Sequence, residues 1–450
     1  MDFKKISYGL LILYFLIGLV YVFRSSTVQV SDGRTYMGKL DKMYREDVPY
    51  PSENDRYDNY INNPGALNLY GWVWKLSGRP TVRILYFLNL CMLTGALFLL
   101  QQIILHYRYD NRALALTSLF WIFYLPNLGL IATITSDVAA CFFLTLYVFL
   151  RVKFVQGKQV SYVMYAGMGL FIAVIEYIRP VGVILLAAEV LWLLSAQWTR
   201  RSDSKLKLSF TLTGARTAAG AGFLMVVAFL AAQRGIGYWN VHKGGVYNYK
   251  SVSMGYNFLM GTYPHSDGTW TGGVFNPGGA GYFDEIGRWT TEAKNSRWTA
   301  QSIGYILEDP LRAIGLGFRK LMATYTYDVL ALNKVIFEDK YVYNFNAVVT
   351  EARKLPGNIF EPRVLAFIWN NLVYLSLAFS YIFLWGKLIF RFASGGEQEK
   401  LLVNNLYGLV FIILYSGVIF IVVGGSRYHF AVMPFVFLGF GSLMQLYLGL

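Results

Sequence analysis

The sequence predicts an all-α polytopic membrane protein with about ten transmembrane helices, and its composition and apolar runs carry that prediction. Of the 450 residues, 55% are hydrophobic and only 15% are charged, and the mean hydropathy is +0.41. Charged residues normally make up about a quarter of a globular chain, so this chain lacks the polar surface that a soluble enzyme of its size requires. Long apolar runs recur along it, each with about the length that crosses roughly 30 Å of hydrocarbon as a helix.

The apolar runs define the predicted spans. In chain order these are residues 6–23, 81–105, 113–131, 138–155, 161–178, 180–196, 209–232, 364–386, 403–423 and 429–449. The first run is not followed by the small-residue cleavage site of a signal peptide, so we expect it to remain as an anchor. Cys91 and Cys141 both lie inside apolar runs, which favours neither a disulfide framework nor a zinc site.

The distribution of cations predicts the orientation. Lys and Arg number 40 against 26 Asp and Glu, a net charge of +14, and membrane proteins concentrate such cations in cytoplasmic loops. With the N-terminus in the cytoplasm, that side holds Lys4, Lys5, Arg108, Arg112, Arg151, Lys153, Lys158, Arg200, Arg201, Lys205, Lys207, Arg391 and Lys400. The opposite short turns hold only Arg179 and Arg427. We expect both termini in the cytoplasm, and the compactness of the chain favours a bacterial plasma membrane.

Two long polar segments fall on the outer side in this orientation. The first long segment covers residues 24–80 and the second long segment residues 233–363, and both are rich in Tyr, Trp and Gly. Each contains a stretch, 64–78 and 311–327, whose aromatic or basic residues predict a helix lying in the membrane interface rather than a span. Because no internal repeat is evident, residues 1–450 are expected to form a single membrane domain.

Two carboxylates are expected at the outer membrane surface. Asp32 follows the first predicted span within about two helical turns. Since several acidic residues share its segment, it is either a solvated loop carboxylate or a catalytic group. Asp137 follows Ser136 at the short turn before the fourth predicted span. It belongs either to a helix N-cap or to a site, and the two roles are compatible.

Two arginines are expected at the same level. Arg179 precedes Pro180, which cannot continue a helix and so places a turn there. Glu176 is either a structural ion-pair partner of Arg179 or a functional residue. Arg427 lies in GGSRYHFAVMP before the last predicted span, and an outward arginine there needs an anionic partner, for which phosphate is well matched. His429, in the same stretch, is more typical of a satisfied surface histidine than of a catalyst.

Two carboxylates and two arginines at one membrane surface indicate an anionic, lipid-linked substrate whose phosphate is held while an acceptor is deprotonated. The sequence contains no GxxxxGK[ST] phosphate loop, no Cys and His metal spacing, no HExxH and no GxSxG. Transport driven by nucleotide hydrolysis is therefore disfavoured. The Gly-rich stretch 244–281 has no strand–helix pattern and is expected to be a flexible binding loop or lid.

In their order along the chain and their common side of the membrane, these features resemble those of the GT-C-type integral membrane glycosyltransferases that use polyprenyl-phosphate sugars. This superfamily includes the protein O-mannosyltransferases and the lipid A aminoarabinose transferases. The resemblance is carried by SDGRTYM, NNPGALNLYGWVWKLSGRP, FYLPNLGLIATITSD, YIRPVGVILL, LEDPLRAIGLGFRKL and SRYHFAVMP. The sequence departs from such relatives at residues 63–66, Asn-Pro-Gly-Ala, where they often have Pro-Pro and an aromatic residue. We also expect no appended soluble domain of the kind that eukaryotic protein mannosyltransferases carry. These departures leave the acceptor open.

The resemblance implies a catalytic base at Asp32, a second catalytic acidic residue at Asp137, and binding of the lipid phosphate by Arg179, Lys320 and Arg427. It implies transfer of a monosaccharide from a polyprenyl-phosphate donor to a hydroxyl of a glycan, lipid or protein, by an inverting single displacement at the outer face. Further candidates for substrate contacts are Tyr36, Glu176, Tyr428 and His429. No cofactor is expected, a divalent metal is left open, and nucleic acid is not an expected partner.

Two other functions stay open at the level of sequence. One is a transporter or flippase for a lipid-linked sugar, although transporters tend to place their sites near the midplane on broken helices in repeated halves. The other is a polysaccharide polymerase or ligase, which would use a diphosphate-linked oligosaccharide. The identity of the donor separates this second alternative from the transferase. The sequence indicates neither the sugar nor the acceptor.

Overall fold

The computed structural model describes residues 2–29, 31–78, 80–154, 161–196, 212–269, 271–328, 362–393 and 399–448. Regular structure in these residues is helical, and the one β-type pairing among them is an isolated bridge between Ile61 and Val252. The predicted all-α class is confirmed.

The α-helices of the described residues are numbered in chain order. They are α1 (Phe3–Arg24), α2 (Asp32–Glu46), α3 (Pro64–Ser77), α4 (Val82–His106), α5 (Asn111–Phe123), α6 (Pro126–Gly129), α7 (Ser136–Phe154), α8 (Tyr162–Ile178), α9 (Gly182–Ala196), α10 (Leu212–His242), α11 (Met254–Thr262), α12 (Thr291–Glu308), α13 (Pro310–Tyr325), α14 (Pro362–Ala393), α15 (Glu399–Ile421) and α16 (Met433–Leu448). Short 3-10 turns lie at Glu53–Tyr57, Leu130–Ala132, Gly272–Phe275, Ile286–Arg288 and Ser426–Val432. Each predicted span has a helix at its position.

The apolar helices make the chain an integral membrane protein, and the part of the chain that the structure describes contains fewer full-length spans than the ten predicted. Among the described residues, five helices are long and apolar enough to cross a membrane: Phe3–Arg24, Val82–His106, Arg216–His242, Val364–Phe390 and Arg427–Leu448. A sixth span results if Asn111–Phe123 and Pro126–Ala132, which meet at a bend of 60°, cross together. Tyr162–Ile178, Gly182–Leu193 and Asn405–Ile421 are apolar but shorter.

Helix α7 has charged residues near both of its ends. It carries Asp137 at its start and Arg151 and Lys153 near its end. The predicted topology counts Arg151 as a loop cation, but the structure buries it within the bundle, where its Nε donates to Glu189 Oε1 at 2.5 Å. The guanidinium also lies over the ring of Tyr407, 4.0 Å from the ring centroid. A guanidinium at membrane depth needs such partners because water is not available there to solvate it.

The α-helical path is interrupted twice between α5 and α7, first between α5 and α6 and then at residues 130–135 before α7. Pro126 opens α6 and has no N–H to donate to the preceding turn. Asn127 bridges the bend, because its Nδ2 donates to Trp121 O at 2.9 Å and its own carbonyl accepts from Tyr14 Oη at 2.9 Å. Residues 130–135 follow as a 3-10 turn and an extended stretch.

The two long segments pack against each other. On α12, Lys294 Nζ donates to Tyr57 O at 2.6 Å, and Asn295 Nδ2 donates to Asn59 O at 3.2 Å. Lys294 and Asn295 are buried, so side chains of the second long segment satisfy the backbone of the first. The position of residues 56–59 therefore depends on α12.

Both stretches predicted as interfacial helices are helical, as α3 and α13. Their location in a membrane interface stays a prediction. The part of the second long segment from 329 to 361 lies outside the described residues, as do the predicted loop cations Lys158, Arg200, Arg201, Lys205 and Lys207.

We expect Gly169→Ala to lower the thermal stability of the chain. Gly169 lies where α8 meets α10, and a Cβ there would come within 2.2 Å of Met225 O. Gly167 on the same helix would place its Cβ with no atom within 4 Å. Gly167→Ala is thus the matched control and should be neutral or stabilising, since Ala is favoured over Gly in a helix by about 1 kcal/mol. The measurement is the Tm of each purified variant in detergent. Equal Tm values would contradict the close approach of the two helices.

Candidate active site

Four charged side chains from distant parts of the sequence form one chain of ion pairs. Arg427 Nη2 lies 2.6 Å from Asp32 Oδ2, and Arg427 Nε lies 3.5 Å from Asp137 Oδ2. Asp137 pairs in turn with Nη1 of Arg179. We call these four side chains the ion-pair chain. Residues that the sequence places only at a common level of the membrane are thus in direct contact.

Exposure falls along the ion-pair chain. The side chains of Asp32 and Arg427 are 31% and 20% exposed, whereas those of Arg179 and Asp137 are 7% and 1% exposed. The formal charges of the four groups cancel. A buried ion pair leaves an uncompensated charge when either partner is removed, so Asp137 and Arg179 depend on each other. Asp32 and Arg427 form the accessible end, and the buried pair supports them.

Asp32 is positioned by the residues that precede it. Gln29 is buried, and its Nε2 donates to Tyr86 Oη at 2.6 Å and to Ala132 O at 3.1 Å, while its Oε1 accepts from Ile134 N at 3.0 Å. This amide ties the chain after α1 to the turn before α7. Ser31, directly before Asp32, has φ +54°, a strained value for a non-glycine residue of the kind that clusters at functional sites.

Asp137 is positioned by two polar side chains that hold the turn before α7. Asn89 Nδ2 lies within hydrogen-bond distance of the carbonyls of residues 130, 131 and 133, at 3.3, 3.2 and 3.0 Å. Tyr70 Oη lies 2.8 Å from Asn89 Oδ1 and 2.9 Å from Thr135 O. Buried backbone carbonyls outside a helix require such partners. The sequence analysis missed Gln29, Asn89 and Tyr70, although Asn89, a polar residue inside the apolar run 81–105, was a signal for this site.

Glu176 does not pair with Arg179, so that interpretation is wrong. The carboxylate of Glu176 accepts from the backbone N–H groups of Gly182 at 2.8 Å and Val183 at 3.2 Å, and thereby satisfies the start of α9. α8 ends at Ile178, and Arg179 adopts an extended conformation, with φ −155°. The two side chains are therefore no longer on one helical face, and Arg179 reaches α7 instead. A substrate contact by Glu176 stays a prediction.

His429 is buried, so its interpretation as a surface histidine is wrong. Its Nδ1 lies 2.8 Å from Thr324 O, and its Nε2 lies 3.1 Å from Tyr124 Oη and 3.3 Å from Asp328 Oδ2. Tyr124 Oη also donates to Asp328 Oδ2 at 2.6 Å. These contacts fasten the 3-10 turn that carries Arg427 to α13 and to the end of α5. His429 thus has a positioning role in this structure, and a substrate contact is not supported by its burial.

Tyr428, beside His429, is held through its backbone, since its carbonyl accepts from Tyr415 Oη at 2.9 Å. Its ring is only partly buried. A substrate contact by Tyr428 stays a prediction.

Lys320 lies apart from the ion-pair chain. It is buried, and its Nζ donates to Ile421 O at 2.7 Å. Burial lowers the pKa of Lys320 to about 8, and the positive charge of Arg312 adds to this effect. An ammonium enclosed in this way is not available to a lipid phosphate, so the structure does not support the phosphate-binding role implied for Lys320.

A cavity of 310 Å³ opens beside Asp32. It is lined by Asp32, Thr35, Tyr36, Lys39, Tyr50, Asp58, Asn59, Tyr60, Asn62 and Leu67. Tyr36 Oη accepts from Asn63 Nδ2 at 2.7 Å. Burial, followed by the nearby Asp32 charge, raises the pKa of Tyr36, so its hydroxyl stays protonated as a hydrogen-bond donor. The candidate substrate contact at Tyr36 therefore lies in the wall of a cavity that reaches Asp32.

The far wall of the cavity is an ion-pair cluster. Lys39 Nζ lies 2.6 Å from Asp55 Oδ1 and 2.6 Å from Asp58 Oδ2. Burial opposes the charge of Lys39, but hydrogen bonds to both carboxylates outweigh it and raise the pKa of Lys39. Burial likewise opposes the charge of Asp55, yet the hydrogen bonds from Lys39 and Ser52 lower its pKa. Lys39 and Asp55 are therefore both charged at neutral pH.

No set of metal ligands stands out in the described part of the chain. Among those residues, no group of three or more His, Cys, Asp or Glu side chains is arranged to hold a metal ion. A divalent metal therefore has no assigned ligands there.

Comparisons with known proteins give partial structural matches but no match by sequence. No family model and no curated protein matches the chain. The Archaeoglobus fulgidus oligosaccharyltransferase tethered with an acceptor peptide matches over 98% of this chain with a TM-score of 0.45 and 10% identity. The same enzyme in complex with Zn and sulfate matches over 92% with a TM-score of 0.35 and 13% identity. The chain spans about half the length of these proteins, 49% and 53%. Because both TM-scores are below 0.5 and only about half of each solved chain is covered, these matches support no inference about activity.

The buried pair predicts a strongly non-additive double-mutant cycle. Asp137→Asn and Arg179→Gln should each destabilise the protein by about 3–5 kcal/mol, because each leaves an uncompensated buried charge. The double variant should lose much less stability than the sum of the single changes. The measurement is the Tm of the four proteins in detergent, and additive losses would contradict a direct pair.

The lowered pKa of Lys320 predicts a pH dependence of stability. Since the folded-state pKa lies below that of a free lysine, the charged ammonium destabilises the fold below about pH 8, and this penalty disappears as the pH rises towards 10.5. We therefore expect the Tm of wild type to rise relative to the Tm of Lys320→Met as the pH increases from 7.5 to 9.5. Lys243→Met, which removes an exposed lysine, is the control and should show no such trend. A constant difference between wild type and Lys320→Met would overturn the assignment.

Proposed function

We propose that this chain is a membrane glycosyltransferase that moves a monosaccharide from a polyprenyl-phosphate donor to a hydroxyl acceptor at the outer face of the membrane. One observation carries the proposal: the partly exposed carboxylate of Asp32 contacts Arg427 on one side and lines a cavity on the other. A proton acceptor thus lies between an anion-binding group and a space for a substrate. The motif resemblance points the same way.

The reaction requires two kinds of group, and the accessible end of the ion-pair chain has one of each. The acceptor oxygen forms a bond to the anomeric carbon as the bond from that carbon to the phosphate oxygen breaks, with inversion. Asp32 takes the proton of the acceptor hydroxyl. Arg427 stabilises the negative charge that develops on the departing lipid phosphate.

Donor binding and activation of Asp32 are coupled in this scheme. Arg427 contacts Asp32 in the structure, so a phosphate that binds Arg427 competes with that carboxylate. When the phosphate displaces the Asp32 carboxylate from Arg427, Asp32 is free to accept a proton. Asp137 remains near the guanidinium of Arg427 and keeps it in place. Asp137 and Arg179 are therefore positioning residues rather than direct ligands, which revises the catalytic role implied for Asp137 and the phosphate-binding role implied for Arg179.

Asp32→Asn should lower turnover by about two to four decades, the usual contribution of a positioned proton acceptor. The matched control is Asp41→Asn, which lies on the same helix and pairs with Arg45 on an exposed face. The assay supplies a panel of polyprenyl-phosphate monosaccharides with cell-envelope acceptors and measures release of free polyprenyl phosphate. The Tm of each variant is recorded to separate loss of chemistry from loss of fold.

Equal activity of Asp32→Asn and Asp41→Asn would remove Asp32 from the chemistry. Turnover only with diphosphate-linked oligosaccharides would instead support a polymerase or ligase. Movement of a lipid-linked sugar across vesicle membranes without release of polyprenyl phosphate would support a transporter.

A further inference from the structure

The cavity beside Asp32 has the dimensions of a site for one small ring. Four of its lining residues, Asp32, Thr35, Tyr36 and Lys39, lie on α2 at spacings of three, four and seven residues, which places them on one face of the helix. Seven residues of helix correspond to roughly 10 Å, the distance along the cavity from Asp32 to Lys39. A volume of 310 Å³ is at the lower end of the range of ligand sites, about 300–1,000 Å³.

The walls combine aromatic rings with hydrogen-bonding groups. Tyr36, Tyr50 and Tyr60 contribute rings, and Asn59 and Asn62 contribute amides. An aromatic ring offers a flat apolar surface, while amides and hydroxyls both donate and accept. A sugar ring needs this combination because it has apolar C–H faces and a rim of hydroxyl groups.

The charges in the wall disfavour an anion. Lys39 is the one cation in the lining, and its ammonium already donates to Asp55 and Asp58. The lining itself holds two carboxylates, Asp32 and Asp58. Ionised carboxylates only accept hydrogen bonds, so they suit hydroxyl donors of a ligand, whereas an added phosphate or carboxylate would meet like charges.

The wall is held in place before any ligand binds. Thr291 Oγ1 lies 3.0 Å from Arg56 O and 2.7 Å from Asp58 O, and Lys294 Nζ donates to Tyr57 O at 2.6 Å. These contacts from α12 fix the residues that present Asp58 to the cavity. A site fixed in this way loses little freedom on binding.

We propose that this cavity binds one sugar ring without an anionic group and that Asp58, held by Lys39, excludes sugars that carry one. The inference rests on the proposed function and names the substrate class of the same site. The ring belongs either to the donor or to the acceptor, since both place a sugar next to Asp32.

The test measures binding of methyl glycosides to the full-length protein in detergent by saturation-transfer NMR. The probes are a neutral methyl hexoside and the matching methyl hexuronide, which differ only by a carboxylate. We expect wild type to bind the neutral glycoside at least about tenfold more tightly than the hexuronide. Asp58→Asn should narrow this ratio to a few-fold, whereas Asp41→Asn, outside the cavity, should leave it unchanged.

A second pair of variants tests the location of the binding site. Tyr60→Ala removes a ring from the lining and should weaken binding of the neutral glycoside, whereas Tyr57→Ala removes an exposed ring that is not in the lining and should not. Equal binding of the two glycosides by wild type, or equal effects of the two tyrosine variants, would overturn the inference.

Turnover assays distinguish the source of the ring and separate the two proposals. Inhibition by the neutral glycoside that is competitive with the polyprenyl-phosphate donor assigns the ring to the donor sugar, and competition with the acceptor assigns it to the acceptor. Selective glycoside binding without transfer from any donor supports the cavity but contradicts the transferase. Transfer that depends on Asp32, together with no selective binding, contradicts the cavity and leaves the proposed function intact.

Discussion

The buried contact between Asp137 and Arg179 is the interaction on which the geometry of the site depends. Neither charge is stable at that depth without the other, and the pair joins the start of α7 to the end of α8. It also places a carboxylate near Arg427, so that the guanidinium is held between two acidic residues. In the proposed mechanism, the accessible Asp32 is the partner of Arg427 that a bound anion displaces.

Polar side chains within the bundle make this arrangement possible. The break at Pro126 leaves residues 130–135 without a helical ladder, and Asn89, Tyr70 and Gln29 supply the missing hydrogen bonds. Gln29 has a second effect, because it also fixes the residues just before Asp32. One set of buried amides and hydroxyls therefore positions both carboxylates, which come from segments about a hundred residues apart.

In the proposed function, described residues of both long segments form the side of the site that receives the substrate. Helix α2 presents Asp32 and the cavity face, while α12 holds the opposite wall through Lys294 and Asn295. A change on α12 would alter the wall beside residues 56–59 without touching the ion-pair chain. Asp32 belongs both to the ion-pair chain and to the lining of the cavity, and so joins the two parts of the site.

The sequence alone determined the helical membrane class and the positions of the apolar helices, because apolar runs of span length have few other stable structures. It did not predict α2, α11 or α12, and α11 lies within the stretch 244–281 that was expected to be a flexible loop. It also singled out Asp32, Asp137, Arg179 and Arg427, since charged residues at span ends are rare enough to stand out. Only the tertiary structure decided which of them touch. Only the tertiary structure shows that Glu176 accepts hydrogen bonds from the start of α9, that His429 and Lys320 are buried, and that a cavity lies beside Asp32. These outcomes depend on contacts between residues far apart in the chain. Local patterns of hydropathy contain no information about such contacts.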